Sequence, residues 1–285
     1  DNSEGNSTLV ARRDDLEVRV SIASASPNTE FAIAYQPIST VTPPVTPSPT
    51  AEPSQTPLTS TSPITFSDLA QVPTQFQPYV RDLAALGILT SNPGNSGKFD
   101  PNKPITRREY ARWLVAANNR LYANVPGKQI RLAAKTSQPA FQDVPPTDPD
   151  FPILQGLAEA GLIPSPVSGD STASLFRPNA PLTRESLIVW KVPLDSRKAL
   201  PSASIDGVKQ TWGFQDAAKI DPQALRSLYA DFQNGDRANV RRVFGFTTLF
   251  QPKKPVTRAE AAAALWYFGF QGDGISAQEV LQAKA

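Results

Sequence analysis

Three arginines hold the most distinctive chemistry in this chain. Arg107, Arg184 and Arg258 each follow a threonine, in Pro104-Ile-Thr-Arg107, Pro181-Leu-Thr-Arg184 and Pro255-Val-Thr-Arg258. Each stands at the first residue of an expected helix, where a cation opposes the macrodipole at a cost of about 0.3–1 kcal/mol. Helix starts favour anions through their free amides. An Arg beside them makes a two-part anion site able to grip a carboxylate with two parallel hydrogen bonds. A second assignment pairs each Arg with a carboxylate of the repeats, Asp68, Asp143 or Asp216. The two can coexist, because an Asp can hold the guanidinium while a ligand takes its remaining donors.

Little other chemistry is available. The 285 residues contain no His, Cys or Met, but 29 Pro. That composition excludes a Ser-His-Asp triad, a thiolate nucleophile, the usual zinc, haem or iron–sulfur ligands, and any disulfide framework. No cofactor is expected. Asp148 and Asp150 are the one pair of carboxylates resembling a glycosidase couple. They lie in a Pro-rich turn and read as surface carboxylates, so the chain is expected not to be an enzyme. A net charge of +2 gives no case for nucleic acid. The longest apolar run, Ala261 to Phe270, is too short to span a membrane and reads as a core helix. The missing initiator Met points to removal of an N-terminal segment, as in an exported protein, with tethering through a lipidated N-terminus as one form of that export.

The elements that must position the arginines come from a repeat. Phe66-Ser-Asp68, Phe141-Gln-Asp143 and Phe214-Gln-Asp216 form one series; Phe99-Asp-Pro101, Phe176-Arg-Pro178 and Phe250-Gln-Pro252 form another. The Thr-Arg motifs follow at the same offset each time. Each unit reads as helix, loop, helix. Apolar residues at helical spacing mark the first helix of each unit (Phe76, Val80, Leu83; Leu154, Leu157, Ala158; Leu225, Leu228, Phe232). Gly87 and Gly161 are stop signals. Thr106 with Glu109, and Thr257 with Glu260, fit the T-x-x-E capping box. Thr183 caps the middle copy, where Glu185 comes one place early, Ser186 takes the Glu position and Pro193 is expected to end the helix soon. In the third copy Ala261, Ala264, Leu265 and Phe268 are expected on one helical face.

Upstream, residues 37–63 hold 8 Pro and 12 Ser or Thr and read as an extended spacer. Before it, the alternations Leu16-Val18-Val20-Ile22 and Phe31-Ile33-Tyr35 predict a β-hairpin. The expected layout is a hairpin-like segment at 1–36, a linker at 37–65, repeats at 66–123, 141–193 and 206–270, and a tail at 271–285.

Phe-x-Asp, Gly87-Ile88-Leu89, Phe-x-Pro and Thr-Arg-x-Glu, in that order, resemble the S-layer homology (SLH) domain family over about residues 66–270. Thr257-Arg258-Ala259-Glu260 matches its most recognisable tetrapeptide. Phrases such as Phe214-Gln-Asp-Ala-Ala-Lys-Ile-Asp221 resemble a cyanobacterial branch. The resemblance implies a mainly α fold of three helix-loop-helix repeats in a pseudo-threefold arrangement. It implies an exported, non-catalytic envelope module binding cell-wall polysaccharide or a peptidoglycan-linked glycan, often pyruvylated, in grooves between repeats. Arg107, Arg184 and Arg258 would face those grooves, with Asp68, Asp143 and Asp216 as supports. The alternative is an envelope scaffold for a protein partner, its carbohydrate binding lost.

Departures from the pattern favour that alternative in part and point to one or two silent grooves. The family's Trp after Phe-x-Asp is replaced by Phe76 or Tyr79 and by Phe151, which read as core. The third copy inserts Gln233 to Arg242, whose Arg241 and Arg242 read as a solvated face.

Overall fold

The computed structural model describes residues 65–283 in full and, further upstream, the backbone of three strands. It divides into two compact units, residues 1–54 and 55–285. In the first, β1 (Ser7–Arg13) pairs antiparallel with β2 (Leu16–Ile22), and β2 pairs with β3 (Ala34–Tyr35) through Val18↔Tyr35 and Arg19↔Ala34. The hairpin partner of β2 is therefore the preceding segment, Ser7–Arg13, and not the later alternation expected to pair with it. The later alternation supplies a two-residue third strand, and Phe31 and Ile33 lie outside the described residues, as does the spacer at 37–63.

The second unit is mainly helical. Its elements are α1 (Gln77–Ala85), α2 (Arg107–Leu121), α3 (Phe151–Glu159), α4 (Arg184–Ser196), α5 (Ile205–Trp212), α6 (Pro222–Phe232), α7 (Asn239–Phe244), α8 (Arg258–Leu265), the hairpin β4 (Tyr267–Phe270) and β5 (Asp273–Ser276), and α9 (Ala277–Gln282). Their apolar faces share one core containing Leu83, Trp113, Leu114, Leu154, Phe176, Trp190, Leu228 and Phe268. Burial of such faces is the main source of stability for helices this short.

A recurring turn organises each copy of the motif. The Asp68 carboxylate accepts the amides of Phe99 and Asp100, both at 2.7 Å. Asp143 accepts those of Phe176 and Arg177, and Asp216 those of Phe250 and Gln251, at 2.7–2.9 Å. The second residue of each turn is left-handed, with φ of 53° at Asp100, 57° at Arg177 and 55° at Gln251. That conformation costs a non-glycine residue about 1–2 kcal/mol. Two charge-assisted hydrogen bonds per Asp offset it. The paired phenylalanines meet above the turn, with ring centroids 5.3 Å apart for Phe66–Phe99 and Phe141–Phe176 and 5.4 Å for Phe214–Phe250.

The segments before α2, α4 and α8 close a ring. The amide of Ile105 donates to Val256 O, that of Val256 to Leu182 O, and that of Leu182 to Ile105 O. All three side chains are fully buried. Around them the amide of Arg107 donates to Ala180 O, that of Arg184 to Lys254 O and that of Arg258 to Lys103 O. Helix-start amides that would otherwise lack partners thus bond to the neighbouring motif copy.

Three expectations are corrected, two of them about helix ends. Pro193 does not end α4, which runs on to Ser196. The last turn is held by a buried ion pair of Lys191 with Asp195 and by Lys191 Nζ donating to Tyr267 O at 2.8 Å. The run Ala261–Phe270 is not one helix: α8 stops at Leu265 and β4 begins at Tyr267. Phe268 therefore reaches the core from a strand and not from a helical face. The hairpin requires Gly269 opposite Gly274, since a Cβ on Gly269 would collide with the Gly274 backbone and one on Gly274 would collide with the Tyr267 ring. The inserted segment is not merely a solvated face either. Arg242 donates from Nε to Ala263 O at 2.8 Å and from Nη2 to Asn239 Oδ1 at 2.6 Å.

Candidate anion-binding grooves

Each capping threonine does what its spacing predicts. Thr106 and Thr257 form reciprocal capping boxes with Glu109 and Glu260, and the Thr183 hydroxyl accepts the amide of Ser186. The arginine after each cap turns away from its own helix start, which relieves the conflict with the macrodipole. It crosses to the Phe-x-Pro turn of another copy. Arg107 Nε donates to Phe176 O at 2.6 Å, Arg184 Nη1 to Phe250 O at 3.1 Å, and Arg258 Nε to Phe99 O at 2.6 Å. The pairing of Arg with Asp68, Asp143 or Asp216 is not seen. Those carboxylates hold the backbone of the turn whose carbonyl the Arg reaches, so they support the arginine through one intervening residue.

Aromatic faces complete each arginine's surroundings. The Arg107 guanidinium lies 4.9 Å from the Phe176 ring centroid and 4.8 Å from that of Trp190. Arg258 lies 5.2 Å from Phe99 and 4.7 Å from Trp113. The residue of α8 matching those tryptophans is Ala264, and Phe244 of α7 supplies the face instead, 4.3 Å from Arg184. Such stacking favours a desolvated guanidinium.

Charge distinguishes the three junctions. At two of them the capping glutamate also acts as counter-ion. Glu109 accepts Thr106 N at 3.1 Å through Oε2 and Arg258 Nη1 at 2.6 Å through Oε1. Glu260 accepts Thr257 N at 2.8 Å through Oε2 and faces Arg184 Nη2 at 3.6 Å through Oε1. At the third junction Ser186 occupies the glutamate position, and Arg107 Nη1 finds only its hydroxyl, at 3.4 Å. Glu185, one residue early, pairs instead with Lys253.

Exposure follows the same division. Arg258 is 0% exposed, with Nη2 donating to Thr90 O, and Arg184 is 7% exposed; Arg107 is only half-buried. Burial lowers the pKa of Arg258 against the pull of Glu109, and that of Arg184 against the pull of Glu260. Burial and then the neighbouring charge of Arg177 bring Arg107 down to about 10, still cationic at neutral pH. Arg107 is thus a cation with a second cation nearby and no carboxylate within ion-pair distance among the described residues. The break in the T-x-x-E pattern at Ser186 was visible in the sequence. Its effect on Arg107, 79 residues away, was not.

Other candidates resolve into structure. Phe76 and Phe151 are buried, and Tyr79 packs on Trp266 at 5.1 Å. Asp150 receives Arg108 Nη1 at 2.8 Å and Arg112 Nη2 at 2.6 Å, and Asp148 receives Arg108 Nη2 at 3.2 Å, so this carboxylate pair ties α2 to the start of α3. No helix among the described residues is long and apolar enough to cross a membrane.

Comparison with known proteins adds one finding. No curated protein matches the chain. A family model described as the S-layer homology domain matches residues 65–111 and 243–262. The matched segments carry the first Phe-x-Asp and Phe-x-Pro turn, the start of α2, and the Thr257–Glu260 cap with the start of α8. Domains of this family are in general non-catalytic modules that anchor proteins to the cell wall at the envelope. Over those two segments the chain is similar to the S-layer homology domain family.

Proposed function

We propose that this chain is an exported cell-envelope anchor whose second unit binds wall polysaccharide through a carboxylate, such as that of a pyruvate ketal, at the groove of Arg107. The supporting observation is the missing counter-ion. Glu109 hydrogen-bonds the buried Arg258 at 2.6 Å, and Glu260 faces the buried Arg184 at an ion-pair distance of 3.6 Å. Ser186, with a hydroxyl in place of a carboxylate, leaves Arg107 without that partner. A ligand carboxylate placed there completes the arrangement made by the protein's own glutamates at the other two junctions. A charge-assisted, partly desolvated pair of this kind is worth about 1.5–3 kcal/mol per hydrogen bond. On this reading the Arg184 and Arg258 grooves are closed by their own carboxylates.

The closed ring of Ile105, Leu182 and Val256 supports a pseudo-threefold assembly of repeats at 66–123, 141–193 and 206–270. The N-terminal sheet and the Pro/Ser/Thr-rich linker would then carry whatever the module tethers.

The test is co-sedimentation of the full chain with purified wall sacculi, before and after removal of ketal groups. Arg107→Ala is expected to lower retention at least tenfold. Ser186→Glu supplies the missing carboxylate internally and is expected to block retention while leaving the protein at least as stable. Retention unchanged in both variants overturns the reading and favours the scaffold alternative.

A further inference from the structure

The segment after α6 builds a second recess, of about 350 Å³, lined by Trp212, Phe232, Arg241, Phe246, Thr247 and Thr248 among others. Its most unusual member is Phe246, which is 96% exposed, far more than any other large apolar side chain among the described residues. Gly245 precedes it at φ 69° and ψ −158°, a conformation essentially confined to glycine. The backbone is therefore committed to turning the ring outward, although an exposed phenylalanine gains nothing in folding stability.

Arg241 lies beside it, 5.8 Å from the Trp212 ring centroid and 5.7 Å from that of Phe232. Its carboxylate partner is Asp236, at 3.3 Å, whose side chain is fully solvated. A solvated pair of this kind is worth about 0–1 kcal/mol, so a ligand carboxylate can replace it at little cost. Trp212 is itself fixed, stacked on Phe214 at 5.8 Å and donating from Nε1 to Leu228 O at 2.8 Å. The floor of the recess is therefore rigid while its rim is open. A recess with apolar and aromatic walls and a few convergent polar groups is the usual form of a small-ligand site.

We infer that this recess is a separate binding site for an acidic saccharide. The apolar C–H face of one pyranose ring would lie on Phe246, and its carboxylate on Arg241. Thr248 on the rim suits the ring hydroxyls, while the Thr247 hydroxyl is held in its own turn by Leu249. A flat apolar face, hydroxyls around the edge and one negative charge together match the lining better than a purely apolar or a cationic ligand does. The inference rests on the reading of the chain as a wall-glycan binder for its choice of saccharide, but it places the contact away from Arg107 and on different residues.

The test uses an array of immobilised oligosaccharides in matched pairs. Uronate, sialate and pyruvylated members are set beside their neutral parents and probed with the full chain. The Arg107→Ala variant isolates the recess from the groove. In that background at least one acidic member is expected to be retained, with binding reduced tenfold or more by Phe246→Ala. Arg241→Gln should remove the preference for the acidic member over its neutral parent. Phe246 is almost wholly exposed, so its truncation leaves the fold intact, and circular dichroism checks the Arg241 variant. Acidic saccharides held by wild type, released by Arg107→Ala and indifferent to Phe246→Ala uphold the groove and overturn the recess. Phe246-dependent binding that survives Arg107→Ala upholds the recess whether or not the groove stands. Absence of any Phe246-dependent binding overturns it.

Discussion

At the scale of single residues, one substitution separates a structural arginine from an available one. Glu109 and Glu260 each serve two partners, one oxygen on the helix cap and the other on an arginine from another copy. Ser186 accepts the Thr183 hydroxyl at 2.9 Å but brings no charge to Arg107. Arg258 shows the cost of the structural role. Its guanidinium is wholly buried and bonded to Glu109, Phe99 O and Thr90 O. Arg258→Met should therefore destabilise the protein by about 3–5 kcal/mol, because it strands a buried carboxylate. Adding Glu109→Met should recover part of that loss. Chemical denaturation of both variants measures it, and equal stability of Arg258→Met and wild type would remove the structural role.

At the scale of elements, two tests probe what terminates α4 and α8. Lys191, on α4, sits among Asp195, Tyr267 O and the Phe268 ring, with Asp231 and Arg242 as further charged neighbours. Burial depresses its pKa from 10.5 to about 8, against the pull of Asp195. Between those two pH values the unfolded chain binds more protons than the folded one. Stability therefore rises with pH across that window. Thermal melts from pH 8 to 10 should show the rise, and Lys191→Met should flatten it. On β4, Gly269→Ala should cost about 2–4 kcal/mol or prevent the hairpin, since the new methyl group meets the backbone of Gly274 and Asp273 most closely, and the Tyr267 hydroxyl besides. The amide of Gly269, which donates to Asp195 Oδ1 of α4 at 3.2 Å, should then lose protection from hydrogen exchange.

At the scale of the whole molecule, the ring through Ile105, Leu182 and Val256 makes the stability of each motif copy depend on the other two. All four tryptophans, at 113, 190, 212 and 266, lie in the second unit. Urea unfolding followed by their fluorescence should give one transition. Leu182→Ala, at the fully buried centre, should shift it by about 2–5 kcal/mol without splitting it. Separate transitions would mean that the copies fold independently.

Much of the local structure was legible in the sequence because it depends on near neighbours. A Thr caps an amide three residues on, and a Glu at that place returns the bond, so the starts of α2 and α8 followed from spacing alone. The recurrent Phe, Asp and Pro positions identified the copies, though not that the Asp would hold a left-handed turn. The end of α8 was not legible. Ala261–Phe270 is uniformly apolar, and only pairing of Gly269 with Gly274 turns its second half into a strand.

What the sequence alone determined is which residues stand at helix starts and which copy departs from the pattern. What only the tertiary structure decided is where each arginine finds its partners. Arg107, Arg184 and Arg258 reach carbonyls 69, 66 and 159 residues away, each across the closed ring. A helix cap is satisfied within one turn of chain. A counter-ion for a guanidinium at the end of a long side chain is chosen by whatever the fold brings within about 4 Å. That is why Ser186 looks like a small local defect in the sequence and becomes, in the folded chain, an arginine left without a carboxylate.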